Sequence, residues 1–363
     1  MTATARAVPA VDPLASRLPV TVITGFLGSG KTTLLSRLLR HPGMNRAAVI
    51  INEFGPVAID HELIAASSEQ MTLLGNGCLC CTLRTDLQET LRELFIKRRA
   101  GEVMDFDRVF VETTGLADPV PVLHTLRTDG LLGAQYRLDG VVTLVDAVNG
   151  MGQLDATPEA VKQAAVADRL VITKTDIADS DLVARLRERL VALNPFAACA
   201  IAVDGELDPA LLASIGPRTT RAQPAELNRW LGPVASDTDR ALRLGSALPG
   251  ASARGAHDAA IASFCLWFDR PFNWDGLNAS LQALAQLRGP DLLRVKGIVH
   301  VEGERGPVVL QGAQHLFHPP VTIEGGRDAD PRSRIVFIVR NIRRESIEAL
   351  FAAVGALAAA EEH

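Results

Sequence analysis

The chain has 363 residues, which is long enough for two domains of ordinary size. Its formal net charge of -5 argues against a nucleic-acid partner. No apolar run reaches the roughly 18 residues that a membrane-spanning helix needs, so no membrane partner is expected. Residues 1–18 lack the apolar core of a secretion signal and are predicted to be a loose leader. We therefore expect a cytoplasmic protein with reduced thiols.

Residues 19–215 are predicted to form an α/β domain with a mostly parallel, doubly wound sheet. Short β-branched runs alternate there with amphipathic stretches, and the runs are apolar throughout, as in parallel strands covered on both faces. The predicted strands are 20–24, 47–52, 108–112, 140–146 and 169–173. The clearest predicted helices are 32–40, 86–99 and 181–193.

The remaining two fifths of the chain divide into three segments. Residues 216–258 mix Pro, Gly, Ser and Ala with weak periodicity and are predicted to connect two domains, with a short helix near 227–231. Residues 259–357 are predicted to form a small α+β domain, and residues 358–363 a tail. The predicted strands and helices of the α+β domain are 261–268, 273–287, 292–301, 307–317, 334–339 and 344–354.

The strongest motif, GFLGSGKTT at 25–33, follows the first strand and opens the first helix. It fits the P-loop pattern, in which glycines let backbone N–H groups turn towards phosphate oxygens. Lys31 would reach the β- and γ-phosphates, and the Thr32 hydroxyl would bind Mg²⁺. The alternative is a chance glycine turn. The predicted phosphate-binding residues are Gly28, Ser29, Gly30, Lys31, Thr32 and Thr33.

The sequence TKTD at 173–176 follows a late strand of the predicted sheet. Asp176 could accept two hydrogen bonds from N1 and N2 of guanine, a donor pair that adenine lacks. The stem of Lys174 could lie along the base, and Thr173 completes the predicted base-binding group. The site is therefore expected to prefer GTP. The alternative is a charged helix start of no special function.

Glu112 ends the predicted strand 108–112, and Gly115 follows three residues later. A strand-terminal acid beside a P-loop can hold Mg²⁺ through water, and the N–H of Gly115 could sense a γ-phosphate. The alternative for Glu112 is a strand cap. Leu116 stands where some GTPases carry a water-orienting glutamine, so hydrolysis is expected to be slow. The predicted catalytic residues are Lys31, Glu112 and Gly115.

The loop GNGCLCC at 75–81 holds three of the five cysteines, namely Cys78, Cys80 and Cys81. Thiolates suit Zn²⁺ and tolerate Co²⁺, and three ligands leave a fourth position open for transfer of the metal. Packing in a core or a strained redox pair are the alternatives. The other two cysteines lie in apolar, strand-like runs and are predicted to be buried: Cys199 and Cys265.

Two weaker metal-ligand candidates flank these motifs. In INEFGPVAIDHELI at 51–64, Asn52, Glu53 and Asp60 could each face Mg²⁺ or the thiolate metal. For Asp60 and His61, a solvated loop position is the equally plausible alternative. His315 and His318 could form a second metal patch, but a strand-end turn is favoured.

Several motifs, taken in order, closely resemble those of the CobW-like P-loop GTPases, a family of metal chaperones and metallocentre accessory proteins. They are GFLGSGKTTLL, INEFG, GNGCLCC, ETTGLADP, VDA and TKTD, and the later LLRVKGIVHVEG and LQGAQHLFHPP resemble the C-terminal domain of that family. The resemblance implies GTP-gated handling of a transition metal, with thiolate ligands from the GNGCLCC loop. It also places Lys31, Thr32 and Asp176 on the nucleotide. The chain departs from the pattern of that family in two ways. Pro56 stands where many members have an acidic residue, and the junction between the domains has only His257 where many members have a histidine-rich stretch.

The sequence thus favours a slow GTPase that binds zinc and delivers it to a client metalloprotein, with Mg²⁺ and GTP as cofactors. Cobalt delivery for cobalamin synthesis and metalloenzyme activation are alternatives within the family. Two alternatives of another class are a small-molecule kinase or ATPase with structural cysteines, and a metal buffer without turnover. A homodimer is also open at this stage.

Overall fold

The computed structural model describes residues 12–51, 71–73, 79–82, 87–232, 260–324 and 330–360. The strands of the first domain are β1 (Leu18–Gly25), β2 (Ala47–Ile51), β3 (Met71–Leu73), β4 (Leu79–Thr82), β5 (Arg108–Glu112), β6 (Tyr136–Asp146), β7 (Arg169–Thr173) and β8 (Ala198–Ile201). Its helices are α1 (Lys31–Arg40), α2 (Leu87–Ala100), α3 (Val120–Thr128), α4 (Gly130–Gln135), α5 (Gly150–Ala156), α6 (Pro158–Val166), α7 (Ser180–Leu193) and α8 (Pro224–Leu231).

These strands form one sheet in the order β3-β4-β2-β5-β1-β6-β7-β8. The pairs from β4 to β8 are parallel, and β3 runs antiparallel to β4. The central strands β1, β2, β5, β6 and β7 are almost wholly buried because helices cover both faces. The predicted α/β fold class is confirmed. All five predicted strands are present. Three short strands were not predicted: β3, β4, which lies in the predicted cysteine loop, and the partly exposed edge strand β8.

The second domain has an antiparallel sheet in the order β12-β11-β10-β14-β9, with β13 paired to β11. Its elements are β9 (Ile261–Phe268), α9 (Trp274–Arg288), β10 (Leu292–Val299), β11 (Val308–Ala313), β12 (Leu316–Phe317), β13 (Val321–Thr322), β14 (Ser333–Arg340) and α10 (Arg344–Ala360). The predicted run 307–317 is two strands joined by a turn at Gln314, whose φ is 53°.

The antiparallel sheet is covered on both faces. One face packs under α9 and α10, where Phe264, Phe337 and Phe351 share a core. Alternate residues of the same strands, such as Cys265 and Val336, join the core of the first domain. The strands therefore read as continuous apolar runs, although antiparallel sheets often leave one face to solvent.

Part of the predicted connection, residues 216–258, is a helix that packs against the two domains. Helix α8 buries Leu227, Trp230 and Leu231 in the core shared by the two domains. Residues 233–259 lie outside the described residues, as do residues 1–11 of the predicted leader, so the predicted domain boundaries stay predictions. In the described parts of the chain, no helix is both long and apolar enough to cross a membrane.

Candidate nucleotide and metal site

The loop between β1 and α1 has the backbone of a phosphate cradle. Gly28 and Gly30 have φ values of 74° and 89°, a left-handed conformation that side chains disfavour. A Cβ on Gly25 would lie 2.4 Å from the Leu144 carbonyl oxygen of the neighbouring strand, so only glycine fits there. The glycines of the motif are thus required by the turn itself, which brings the first N–H groups of α1 to the edge of the sheet.

Two buried polar groups line this loop. The Lys31 ammonium donates to the carbonyl oxygens of Gly25 at 2.7 Å and Phe26 at 3.2 Å. The Ser29 hydroxyl is fully buried and has no hydrogen-bond partner within the described part of the structure. A buried hydroxyl without a partner is unfavourable, and a phosphate oxygen would satisfy it. The cradle therefore fits a nucleoside triphosphate.

The side chains of Thr32 and Glu112 meet beside the cradle. Glu112 ends β5, which pairs with β1 so that Glu112 lies opposite Ile23. Its carboxylate is buried and accepts a hydrogen bond from the Thr32 hydroxyl at 2.9 Å. A hydroxyl and a carboxylate held together at a P-loop form the oxygen donor set that Mg²⁺ prefers.

The loop 113–119 returns to the P-loop after Glu112. A Cβ on Gly115 would lie 2.7 Å from both N and Cα of Leu27, so the two loops are in direct contact. The Gln163 amide on α6 donates to the carbonyl oxygens of Gly115 at 3.2 Å and Ala117 at 3.0 Å. The predicted Gly115 is therefore at the phosphate end of the site.

The segment 173–176 closes the other side of the cradle. The Thr173 hydroxyl donates to the Ser29 carbonyl oxygen at 2.8 Å and so ties the end of β7 to the P-loop. Lys174 has a φ of 57°, and its ammonium donates to Asp146 at 2.7 Å. Asp176 is exposed beyond this turn, where its carboxylate is open to a ligand.

Asp146 ends β6 and is fully buried. Burial alone would raise the pKa of Asp146, but hydrogen bonds from Lys174 and Asn149 and from the Val148 N–H outweigh it and hold the pKa below its usual value. The carboxylate therefore stays charged and keeps the Lys174 side chain in one direction.

Asp146 and Gln163 are the site residues that sequence reasoning did not predict. Asp146 lies at the carboxyl end of a predicted strand, where polar residues tend to be functional, so its position was an available signal. Gln163 gave no such signal, because a glutamine in a short helix reads as a solvated side chain.

The described cysteine segment is a strand of the main sheet. In β4, Cys80 pairs with Val49 and Cys81 with Ile50 of β2. The structure describes the backbone of these two cysteines; their side chains, Cys78, Glu53, Asn52 and Asp60 lie outside what it describes. Among the described side chains, no group of three His, Cys, Asp or Glu residues could hold a metal.

The two remaining cysteines do not offer thiolates. Cys265 is buried, and burial raises the pKa of its thiol to about 12. Cys199 is half-buried on the edge strand β8, and burial raises the pKa of its thiol as well. The predicted burial is thus complete for Cys265 and partial for Cys199.

His315 lies at the turn after β11, with its ring 6.2 Å from that of His124 on α3. The favoured prediction of a strand-end turn is consistent with this position. The described residues bring no third metal ligand to the two rings.

A P-loop after the first strand, an acid at the end of a neighbouring strand and, at a third strand, a turn that carries the predicted base-binding residues are typical of a P-loop GTPase. Residues 19–200 match the CobW/HypB/UreG nucleotide-binding domain, and residues 261–355 match the cobalamin synthesis protein cobW C-terminal domain. The chain belongs to the CobW/HypB/UreG family, as its resemblance to the CobW-like GTPases predicted.

Relatives of this chain include named zinc proteins. It is 34% identical over 335 residues to the zinc chaperone YjiA of Escherichia coli, covering 92% of this chain and 98% of that protein. It is 34% identical over 204 residues to the zinc-regulated GTPase metalloprotein activator 1 of Schizosaccharomyces pombe, covering 54% of this chain and 48% of that protein.

Solved structures of the E. coli GTPase share the fold over nearly the whole chain. The Zn(II)-bound YjiA GTPase is 32% identical and superposes with a TM-score of 0.66 over 93% of this chain and 99% of that chain. A Zn(II)-bound triple mutant, with one glutamate and two consecutive cysteines replaced by alanine, gives a TM-score of 0.67 at 31% identity with the same coverage.

Proposed function

We propose that this GTPase is a zinc chaperone that holds Zn²⁺ with Cys78, Cys80 and Cys81 and passes it to a client metalloprotein. The observation that carries the proposal is the register of β4. Thr82 of β4, Ile51 of β2 and Glu112 of β5 lie opposite one another across three neighbouring strands. The cysteine strand thus ends level with the residue proposed to bind Mg²⁺.

The separation between these two positions is small. Two strand spacings amount to about 10 Å between the backbones of Thr82 and Glu112. Strands β2, β4 and β5 run parallel, so their carboxyl ends lie at the same edge of the sheet as the nucleotide cradle. Contacts from Mg²⁺ and GTP at this edge would alter the position of the cysteine strand and thereby of its thiolates. Nucleotide binding would then change the affinity for zinc, and zinc binding would change the affinity for the nucleotide by the same factor.

Each nucleotide role follows from the position of a side chain. Lys31 would exchange the carbonyl oxygens of its own loop for the β- and γ-phosphates, and Ser29 would donate to a phosphate oxygen. Thr32 and Glu112 would hold Mg²⁺, directly and through water. When bound, Mg²⁺ neutralises charge that develops on the phosphates. Asp176 would accept the two N–H bonds of guanine.

Hydrolysis is expected to be slow. Leu116, next to Gly115, is 55% exposed and cannot orient a water molecule through a hydrogen bond. Lys31 and the helix N-terminus can stabilise charge on the phosphates, whereas proton removal from the attacking water has no assigned residue. Slow intrinsic hydrolysis suits a GTPase whose hydrolysis rate rises when a client protein binds.

Zinc is favoured over cobalt as the cargo. Thiolates accept both ions, and the sequence leaves both open. The relatives described above are named zinc chaperone and zinc-regulated activator, and the solved relative is Zn(II)-bound. The name of the S. pombe relative, a metalloprotein activator, supports a metalloprotein as the client.

A competition titration tests the proposal. Zn²⁺ and Co²⁺ affinities are measured against a chromophoric chelator with a GTP analogue, with GDP and without nucleotide. We expect Zn²⁺ affinity to differ at least about tenfold between the GTP analogue and GDP, since allosteric couplings commonly span 5- to 150-fold. Equal affinity in all three conditions would leave a metal buffer without nucleotide control.

The thiolate ligands are tested in the same assay. In the double variant Cys80→Ser/Cys81→Ser, the nucleotide-dependent difference in Zn²⁺ affinity should disappear. Cys199→Ser is the matched control, because Cys199 lies on β8 at the opposite edge of the sheet. The difference is the decisive readout, since a relative whose two consecutive cysteines are replaced is still Zn(II)-bound. A nucleotide effect that survives the double variant would remove the thiolates from the mechanism.

A further inference from the structure

Gln163 is a buried amide behind the loop that follows Glu112. It is 1% exposed, and its amide nitrogen donates to the carbonyl oxygens of both Gly115 and Ala117. A primary amide has two N–H donors, so both can be used at once on two acceptors of one tight turn. The loop 115–117 is therefore held in shape from behind by a single side chain.

The same loop is held from the front by the P-loop. Gly115 touches the backbone of Leu27 so closely that a Cβ would overlap it. The Gly115 peptide thus lies between the P-loop on one side and Gln163 on the other. Gln163 holds the carbonyl oxygen of Gly115 while the P-loop restricts its Cα, so the two contacts together limit the backbone rotation of Gly115 and with it the direction of the Gly115 N–H.

Helix α6 presents Gln163 from a fixed position. The Thr143 hydroxyl donates to the Gln163 backbone oxygen at 2.7 Å. Asn194 donates to the backbone oxygens of Ala164, Ala165 and Ala167 at the end of the same helix. The adjacent Lys162 pairs with Asp118 at 2.5 Å, which fixes the far end of the loop. The helix is thus anchored independently of the side-chain amide.

The carbonyl oxygen of the Gln163 side chain is buried and has no hydrogen-bond partner within the described residues. A fully buried acceptor without a partner is unfavourable and is usually replaced by an apolar group unless the donor end of the same side chain is needed. The amide is therefore used here for its two N–H groups, both of which bind the loop.

We propose that Gln163 is a positioning residue for GTP: by holding the carbonyl oxygens of Gly115 and Ala117 it fixes the orientation of Gly115, so that the Gly115 N–H meets the γ-phosphate. This inference rests on the proposed contact between Gly115 and the γ-phosphate. Gln163 acts through the loop and does not touch the nucleotide. Its loss should weaken the interaction that separates GTP from GDP and leave the contacts to the other two phosphates and the base in place.

The variant Gln163→Met tests this, because Met fills the same volume without donors. Without zinc present, we measure kcat and KM for GTP and the affinities for a GTP analogue and for GDP. We expect kcat to fall about 10- to 100-fold, less than the roughly 100- to 1,000-fold for outright loss of an aligned donor, because the Gly115 N–H is displaced and not removed. The ratio of GTP-analogue to GDP affinity should fall at least fivefold, with GDP affinity unchanged within twofold.

The matched control is Thr143→Val, which removes the anchor of α6 at the same residue but leaves the side-chain amide. It should keep both kcat and the affinity ratio within twofold of the unchanged protein. If Gln163→Met weakens the GTP analogue and GDP equally, or changes neither kcat nor the ratio, Gln163 is only a structural residue and the inference is wrong.

A second variant and a measurement on the unchanged protein test the inference even if Gln163→Met fails to fold. Gln163→Glu keeps the size of the side chain but replaces the two N–H donors with a carboxyl group that has at most one, and it should lower the affinity ratio in the same direction. Amide hydrogen exchange of residues 113–119 should be slower with the GTP analogue than with GDP; equal exchange would overturn the inference. Because zinc is absent throughout, these results are independent of whether the chain carries metal.

Discussion

A cluster of charged side chains lies at each end of β7, and the two clusters differ in their exposure to solvent. At its amino end, the Asp168 carboxylate binds Arg294 at 2.7 Å and Lys296 at 2.6 Å, both from β10 of the second domain. At its carboxyl end, Lys174 binds Asp146 at 2.7 Å within the first domain. The two clusters are separated by a strand of five residues, or about 17 Å.

The clusters differ in exposure. The side chains of Asp168, Arg294 and Lys296 are 1%, 2% and 4% exposed, so water is excluded. Besides one another, Asp168 has the Val141 N–H and Lys296 has the Trp230 carbonyl oxygen as partners. At the other end, 35% of the Lys174 side chain is exposed, and Asp176 is open to solvent. A sealed cluster can only hold domains together, whereas an open one can exchange a protein or water partner for a ligand.

The largest expected effect is the loss of the sealed cluster. Asp168→Asn leaves Arg294 and Lys296 buried without a counter-charge, which costs about 3–5 kcal/mol in comparable cases. Urea unfolding should show this loss. The control is Glu206→Gln, which removes the exposed partner of the exposed Arg37 and should cost less than about 1 kcal/mol. Equal losses in both variants would contradict the comparison.

The sealed cluster should also govern acid sensitivity. Burial alone would raise the pKa of Asp168, but Arg294 and Lys296 outweigh it and bring the pKa to about 2, below the 3.8 of an unperturbed aspartate. The folded pKa is therefore the lower one. Its contribution is complete above pH 3.8 and is lost as the pH falls from 3.8 towards 2.

A pKa lowered by nearly two units corresponds to about 2 kcal/mol of stability. The difference in unfolding free energy between the unchanged protein and Asp168→Asn should accordingly shrink by about that amount between pH 5 and pH 2. A difference that stays constant over this range would show that the carboxylate does not titrate with unfolding.

A substitution in the exposed cluster at the carboxyl end of β7 should change the affinity for GTP and leave the stability of the fold unchanged. Asp176→Asn should weaken GTP binding about 10- to 100-fold, as expected for the loss of hydrogen bonds to a charged group, and should improve binding of xanthosine triphosphate. The unfolding free energy should stay within about 0.5 kcal/mol because the side chain is exposed. Asp181→Asn, also exposed and nearby in the chain, is the control. Unchanged GTP affinity would remove Asp176 from the base site.

The smallest effect is expected at a contact that joins the two domains near the nucleotide edge. Gln314 donates to Asp118 at 3.4 Å, close to the limit for a hydrogen bond, and Asp118 already binds Lys162. Gln314→Asn keeps a residue that tolerates the left-handed turn but shortens the side chain. GTP hydrolysis should change less than about threefold, as expected for a bond worth about 0.5 kcal/mol. A larger change would make this contact a route from the second domain to the GTPase site.

The phosphate cradle could be predicted from the sequence because its geometry is local. The glycines, Lys31 and Thr32 lie within one turn between a strand and a helix, and the backbone conformation that the turn needs restricts which residues can occur. Glu112 and Asp176 were predicted for a related reason: each lies at or just beyond the carboxyl end of a parallel strand, and such ends meet at one edge.

Other features depend on pairs that are distant in the chain. Gln163 meets Gly115 across 48 residues, and Asp168 meets Arg294 across 126. No spacing rule relates such pairs, because the separation depends on how the intervening strands and helices are arranged. The register that brings Thr82 level with Glu112 is likewise set by the pairing of three strands, β4, β2 and β5.

The sequence by itself determined the kind of chemistry: which residues can bind phosphate, guanine, Mg²⁺ and a soft metal. Each of these functions needs particular atoms within a few consecutive residues. The tertiary structure decided which of those groups share an edge, which charges are sealed and which are open. Packing brings distant segments together and removes water from some charges but not from others, and neither effect can be read from a single segment.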